Sequence, residues 1–221
     1  MENIGKLIES FMTEEFPKKV EKGNEDIYNE FSLQYELGKY LNNLLPPKYK
    51  VQFERNITFF DPKCKKNKEH FGKYAKKEID ISIFDSLKKE KCAIELKYPT
   101  NGQHPKQLYK FCEDICFMEQ VKEFAGFQQS YVLTLVNDDR KGKSFYEGKG
   151  DNGKTEKVYN RFCRLGDGRR RICIESGEIE YPIDDGHGPD EPIFIMSDYE
   201  TEWQTVAQHP QYHYYLLSIK R

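Results

Sequence analysis

The chain has 221 residues, 35 Lys or Arg against 37 Asp or Glu, a formal net charge of −2, 37% hydrophobic and 14% aromatic residues. That length accommodates one well-cored domain with an extension or two small ones. The near-neutral balance argues against a protein that coats nucleic acid nonspecifically, and no apolar run reaches the length of a membrane span.

Ile4, Leu7, Ile8, Phe11 and Met12 recur at helical spacing, which predicts an amphipathic first helix closed by Pro17. This start carries early acids and no cleavable apolar core, so a cytoplasmic protein is expected. A second helix is expected over 25–45, ended by Pro46-Pro47, with Leu33, Leu37, Leu41 and Leu44 as its core stripe and Asn29, Ser32, Glu36 and Asn43 on a polar flank. Residues 49–60 read as a strand stopped at Asp61-Pro62. The segment 63–77 follows, with seven lysines against Glu69. Its Lys73, Lys76 and Lys77 are candidates for contacting a phosphate backbone, because the segment runs directly into the next strand.

That strand opens the stretch 78–97, EIDISIFDSLKKEKCAIELK. Ile79, Ile81 and Ile83 alternate with Asp80 and Ser82, Ala93 and Glu95 alternate with Ile94 and Leu96, and a polar turn joins the two runs, as in a β-hairpin. Side chains two apart share a face, so Glu95 and Lys97 point away from Ile94 and Leu96. A turn centred on Leu87 and Lys88 sets Asp80 directly across from Glu95. Opposed carboxylates destabilise a sheet unless something between them compensates. A divalent cation does so, since Mg²⁺ takes one or two carboxylates and leaves room for substrate phosphate. The competing reading of the same residues is a solvated strand face in a chain that is 33% charged.

Asp80 followed by Glu95-Leu96-Lys97 resembles the PD-(D/E)XK nuclease superfamily, the restriction-endonuclease-like fold, with Ile79 standing where the family pattern has proline. The resemblance implies metal binding by Asp80 and Glu95, with the Leu96 carbonyl, and positioning of the attacking water by Lys97. Mg²⁺ is the implied cofactor and Mn²⁺ its substitute. A further metal-site glutamate on the helix before the sheet is implied, for which Glu36 is the best match. Gln107, opening the next helix, fits the start of a Gln-x-x-x-Tyr signature that this chain leaves incomplete at Phe111.

Downstream, a helix is expected over 105–124 with Leu108, Phe111, Ile115 and Met118 on one side, and a buried strand over 128–136. The expected order is thus helix, three strands, helix, strand. This is the αβββαβ core of the restriction-endonuclease-like fold: an α/β domain with a mixed central sheet flanked by helices. A nuclease core with N-terminal helices is assigned to 1–138, and a mostly β extension, packed on the same domain, to 139–221. In that extension 140–171 carries eleven basic residues against four acids, and 172–203 carries ten acids and no Lys or Arg. Hairpin strands are expected at 171–174 and 178–181 around Ser176-Gly177, with further strands at 192–196 and 212–219.

Gly148–Thr155, GKGDNGKT, fits the phosphate-binding string GxxxxGKT, but that loop works between a buried strand and a helix, and residues 140–147 do not read as a buried strand. The six cysteines have no CxxC pair and no secretion signal, so reduced buried thiols are expected. His209 and His213 are a weak metal candidate beside them. The expected function is a metal-dependent endonuclease hydrolysing the phosphodiester bonds of DNA, double-stranded and with a homodimer possible. The alternatives are a catalytically silent protein of the same fold that binds nucleic acid or a protein partner, and a nucleotide triphosphatase acting through Gly148–Thr155.

Overall fold

The computed structural model describes residues 1, 3–21, 26–65, 78–99, 104–137, 153–162, 171–182 and 192–220. The basic residues Lys73, Lys76 and Lys77 and most of the GKGDNGKT loop lie outside these.

The first helix runs past the expected stop. α1 (Ile4–Ser10) passes through a π turn (Phe11–Glu15) into α2 (Phe16–Lys19). At the π turn the Phe16 N–H reaches Phe11 O, five residues back. The wider turn restarts the ladder with Pro17 in its first turn, where a missing N–H removes no helical bond.

α3 (Glu30–Leu44) begins five residues later than expected, because Asn29 and Ser32 cap it reciprocally. The Asn29 side chain accepts from the Ser32 N–H at 2.9 Å, and the Ser32 hydroxyl oxygen accepts from the Asn29 N–H at 3.0 Å. This box fixes Glu30 as the first helical residue, where a carboxylate meets the positive end of the helix dipole. Leu33, Leu37 and Leu41 form the buried stripe, whereas Leu44 is half exposed.

The strands are β1 (Tyr49–Asn56), β2 (Glu78–Asp85), β3 (Lys91–Lys97), β4 (Gln129–Asn137), β5 (Arg171–Ile174), β6 (Gly177–Ile179), β7 (Ile193–Ile195), β8 (Tyr199–Glu202), β9 (Gln204–Thr205) and β10 (Tyr212–Ser218). The helix α4 (His104–Ala125) and the shorter α5 (Gly153–Phe162) complete the described elements. Among the described residues the central sheet has the order β1-β2-β3-β4-β10-β9. Only β3 and β4 run parallel, joined across one face by α4, and the other neighbours are antiparallel. The protein is therefore a mixed α/β fold with a mixed six-stranded sheet flanked by helices.

Each face of the sheet carries its own core. Ile81, Ile83, Cys92, Ile94, Leu96, Leu133 and Leu135 pack with α1 and α3, while Ala93, Val132, Val136 and Tyr215 pack with α4 and α5. Both faces being covered explains why β4 is buried almost throughout rather than alternating. α4 ends at Gly126, whose φ of +66° is the left-handed stop glycine favours. The buried Lys91 ammonium donates to the Ala125 carbonyl, satisfying one of the orphaned acceptors of that terminus.

β10 joins the central sheet beside β4, so the segment after 139 contributes to the core sheet itself. The expected hairpin around Ser176-Gly177 does not form: β5 pairs with β8, and β6 with β7. α5 was not foreseen, although Val158 and Phe162, one turn apart, are both buried. The free thiols Cys64, Cys92, Cys112, Cys116 and Cys173 are buried, and His213 is a core residue of β10 whose ring meets Thr205 at 3.2 Å.

Candidate active site

β2 and β3 pair as Ile81–Ile94, Ser82–Ala93, Ile83–Cys92 and Phe84–Lys91. This is the register read from the sequence, in which Asp80 and Glu95 are the next positions. The turn takes a left-handed residue, Lys88, at φ +54°, and the Asp85 carboxylate accepts from the Lys89 N–H. Beyond Ile81–Ile94 a side chain takes over from the ladder: the Asp80 carboxylate accepts the Leu96 N–H at 2.6 Å. β2 meanwhile continues its pairing with β1 through Ile79–Arg55 and Glu78–Asn56. Asp80 is thereby fixed against the backbone of Glu95-Leu96-Lys97.

Ala93 belongs to the α4-side core, and Ile94 and Leu96 to the α1/α3 side. Alternation carries Glu95 and Lys97 toward α4 with Ala93. There the Lys97 ammonium lies 3.4 Å from the Asp114 carboxylate of α4 and 3.6 Å from that of Glu30, and donates to the Leu96 carbonyl at 3.3 Å. Glu30 also accepts the Tyr98 N–H at 3.0 Å, tying the start of α3 to the end of β3. Gln34, one turn on, donates to the Asp80 carbonyl at 2.7 Å and to the Glu54 carboxylate at 2.6 Å. Glu54 sits at φ +49° in β1, a left-handed kink at an edge-strand position.

One cation thus stands among several anions. Burial pushes the Asp80 carboxyl up to about 7; the Leu96 N–H and Lys97 pull it down, and the Glu30 and Asp114 charges raise it further. Burial alone lowers the affinity of the Lys97 amine for its proton, but Asp114, Glu30, Glu95 and Asp80 outweigh it, and the net shift is upward. Lys97 is accordingly an ammonium, and Asp80 is a carboxylate kept ionised only with difficulty.

Two expectations change. The acid that α3 delivers to Lys97 is Glu30, whereas Glu36 lies 3.0 Å from Lys19 and 4.0 Å from Lys39 on another flank of the helix. Sequence spacing sets the phase: Glu30, three residues before Leu33 and seven before Leu37, lies over the Leu33, Leu37 and Leu41 stripe, and Glu36 does not. Gln107 is a partly exposed residue of the first turn of α4, and among the described residues no hydrogen bond ties it to Asp80, Glu95 or Lys97. Asp114 was missed altogether, although an acid three residues after Phe111 and four before Met118 falls on the buried stripe of its helix. Glu30→Gln should lower any Lys97-dependent activity by on the order of tenfold or more, while Glu36→Gln leaves it unchanged, with circular dichroism confirming the fold of both.

Among the described residues no group of three or more His, Cys, Asp or Glu is arranged to hold a metal ion. The donors that the hairpin register brings to neighbouring positions, the Asp80 and Glu95 carboxylates with the Leu96 carbonyl, are hard oxygen atoms in the small number that Mg²⁺ takes from a protein when substrate and water complete its shell. The raised Asp80 carboxyl fits that role, since a cation beside it would relieve the crowding of negative charge. Comparison of the chain with protein families, with curated proteins and with solved structures finds no match. No described helix is long and apolar enough to cross a membrane.

Proposed function

We propose that the protein is a Mg²⁺-dependent endonuclease, of the PD-(D/E)XK kind, that hydrolyses phosphodiester bonds in DNA. The observation that carries this reading is the Asp80 carboxylate bonded to the Leu96 N–H, which locks it beside Glu95 and a lysine surrounded by acids. A strand built only for stability has no use for that crowding. The order α3, β1, β2, β3, α4, β4 agrees with the core that the resemblance implies.

Asp80 and Glu95, with the Leu96 carbonyl, would hold the ion. When bound, the ion supplies positive charge against the scissile phosphate and makes a neighbouring water more acidic. The Lys97 ammonium offsets the negative charge that builds on the phosphate and orients the attacking water through its N–H donors. Glu30 and Asp114 hold that ammonium from two sides, so it enters the reaction already oriented. Gln34 fixes the Asp80 backbone by its bond to the carbonyl.

The test is nicking of supercoiled plasmid with Mg²⁺ or Mn²⁺ by the wild type, Asp80→Ala and Lys97→Ala. Both variants should lose at least roughly a hundredfold in rate. Nicking that survives both substitutions, or that proceeds unchanged in excess chelator, would sink the proposal.

A further inference from the structure

We infer that the outer flank of α3 is a stacking platform for unpaired bases, so that the DNA strand reaching the site is single-stranded on that side. This rests on the nuclease reading above and names its substrate class. Tyr28, Phe31 and Tyr35 are 65%, 70% and 51% exposed. A spacing of four residues keeps Phe31 and Tyr35 on one flank of α3, and Tyr28 stands just before the Asn29 cap. Of the seven large apolar residues that are exposed among those described, four (these three with Phe53, whose ring lies over Gly38) stand along this flank of α3 or just before its cap. The apolar exposure is therefore concentrated rather than scattered, and such concentration marks a binding surface.

The position of the row says what it binds. Glu30, between Tyr28 and Phe31, contacts both Lys97 and the Tyr98 N–H, so the rings begin at the rim of the site. A strand that places a phosphate at Lys97 and continues along this flank of α3 would meet Phe31 first and Tyr35 next. Further along, Lys39 stands 5.8 Å over the Tyr35 ring and 4.0 Å from the Glu36 carboxylate, its side chain half exposed, giving the row a cation for a backbone phosphate. Phe53 borders the row, its ring lying over Gly38, where a Cβ would come within 2.2 Å of it.

The spacing selects the form of the strand. At 1.5 Å per residue, Phe31 and Tyr35 are about 6 Å apart along the helix. Bases in a stacked strand rise about 3.4 Å each, and their faces are covered by their neighbours. Rings at nearly twice that interval meet base faces only when the bases are splayed apart, which is the chemistry of single-strand recognition: aromatic stacking with an interleaved cation.

The experiment uses the full chain with Asp80→Asn to block turnover, and fluorescence anisotropy with a labelled oligothymidine and a labelled duplex at one salt concentration. In this background Phe31→Ala and Tyr35→Ala should each weaken single-strand binding on the order of tenfold, and Phe31→Trp should retain it. Unchanged single-strand affinity in both alanine variants overturns the inference. So does a dimer, seen by light scattering, that the same substitutions dissolve, since the row is then an interface between copies. The two readings fail separately. Binding of single strands through the rings by a wild type that cleaves no DNA removes the nuclease and leaves the platform. Duplex cleavage with single-strand binding indifferent to the rings does the reverse.

Discussion

At pH 8 and without divalent metal, Asp80→Asn should melt above the wild type by roughly 8–16 °C while abolishing cleavage. The wild-type carboxyl is held at about 7, chiefly by burial, against an ordinary 3.8. Between those values the folded protein keeps the Asp80 proton and the unfolded chain releases it, so the folded state binds more protons and stability falls as pH rises. The loss is complete above about 7 and absent below about 4. Ionisation across that interval costs on the order of 4 kcal/mol, each 1.36 kcal/mol being one pH unit. In a chain of this size each kcal/mol is worth roughly 2–4 °C. Asparagine keeps the oxygen that accepts the Leu96 N–H and carries no charge, so it removes the penalty and keeps the bond.

The comparison that matters is across pH and metal. Scanning calorimetry at pH 4.5 should find the two proteins nearly equal, with the gap opening as pH rises toward 7. Added Mg²⁺ should raise the wild-type melting temperature at pH 8 and leave Asp80→Asn unmoved, because an ion bound only by the folded state stabilises by mass action. A gap that is the same at pH 4.5 and pH 8 would mean that Asp80 ionises freely. A protein that is less stable without this charge would mean that Asp80 is structural.

The parts of this site nearest the hairpin were legible because strand alternation and turn length act locally. A period of two fixes which face Glu95 and Lys97 take, and the polar turn fixes the register that sets Asp80 beside them. The helix contributions were harder, since they depend on phase. The sequence Asn29-Glu30-Phe31-Ser32 holds the cap that starts α3, and from that start Glu30 falls over the buried stripe. Glu36 stays off the Leu33, Leu37 and Leu41 stripe wherever the helix begins. Asp114 and Glu119 were both visible as acids within the stripe of Phe111, Ile115 and Met118, a position where an acid needs a partner. What each would meet depends on a strand end or a turn far along the chain, which no local period specifies. The same gap undid the hairpin at Ser176-Gly177. Gly177 does take an unusual φ of +124°, but the strands on either side pair with β8 and β7 further along the chain rather than with each other.

Glu119→Ala should be the most destabilising single change in α4, by on the order of 3–5 kcal/mol. The Glu119 carboxylate is fully buried and accepts three bonds: from the Met196 N–H at 2.7 Å, the Ser197 N–H at 2.9 Å and the Tyr199 hydroxyl at 2.8 Å. Burial pushes its carboxyl up, and the three donors pull it back only in part. Truncation leaves two backbone donors and a phenol without their acceptor in a closed interior, at about 1–3 kcal/mol each and less than additively. Glu119→Gln keeps one oxygen and should lose less than half as much. These bonds join α4 to the turn between β7 and β8, so the loss should appear as a lower urea midpoint and as early proteolysis within 192–205. Asp114 lies on the same helix, but its contact is with Lys97 at the end of β3 rather than with that turn. The surviving folded fraction of Glu119→Ala should therefore retain its nicking rate per molecule at low temperature. A variant that keeps its urea midpoint would show that the three donors find water instead, and one that loses rate while folded would place the turn in the catalytic architecture.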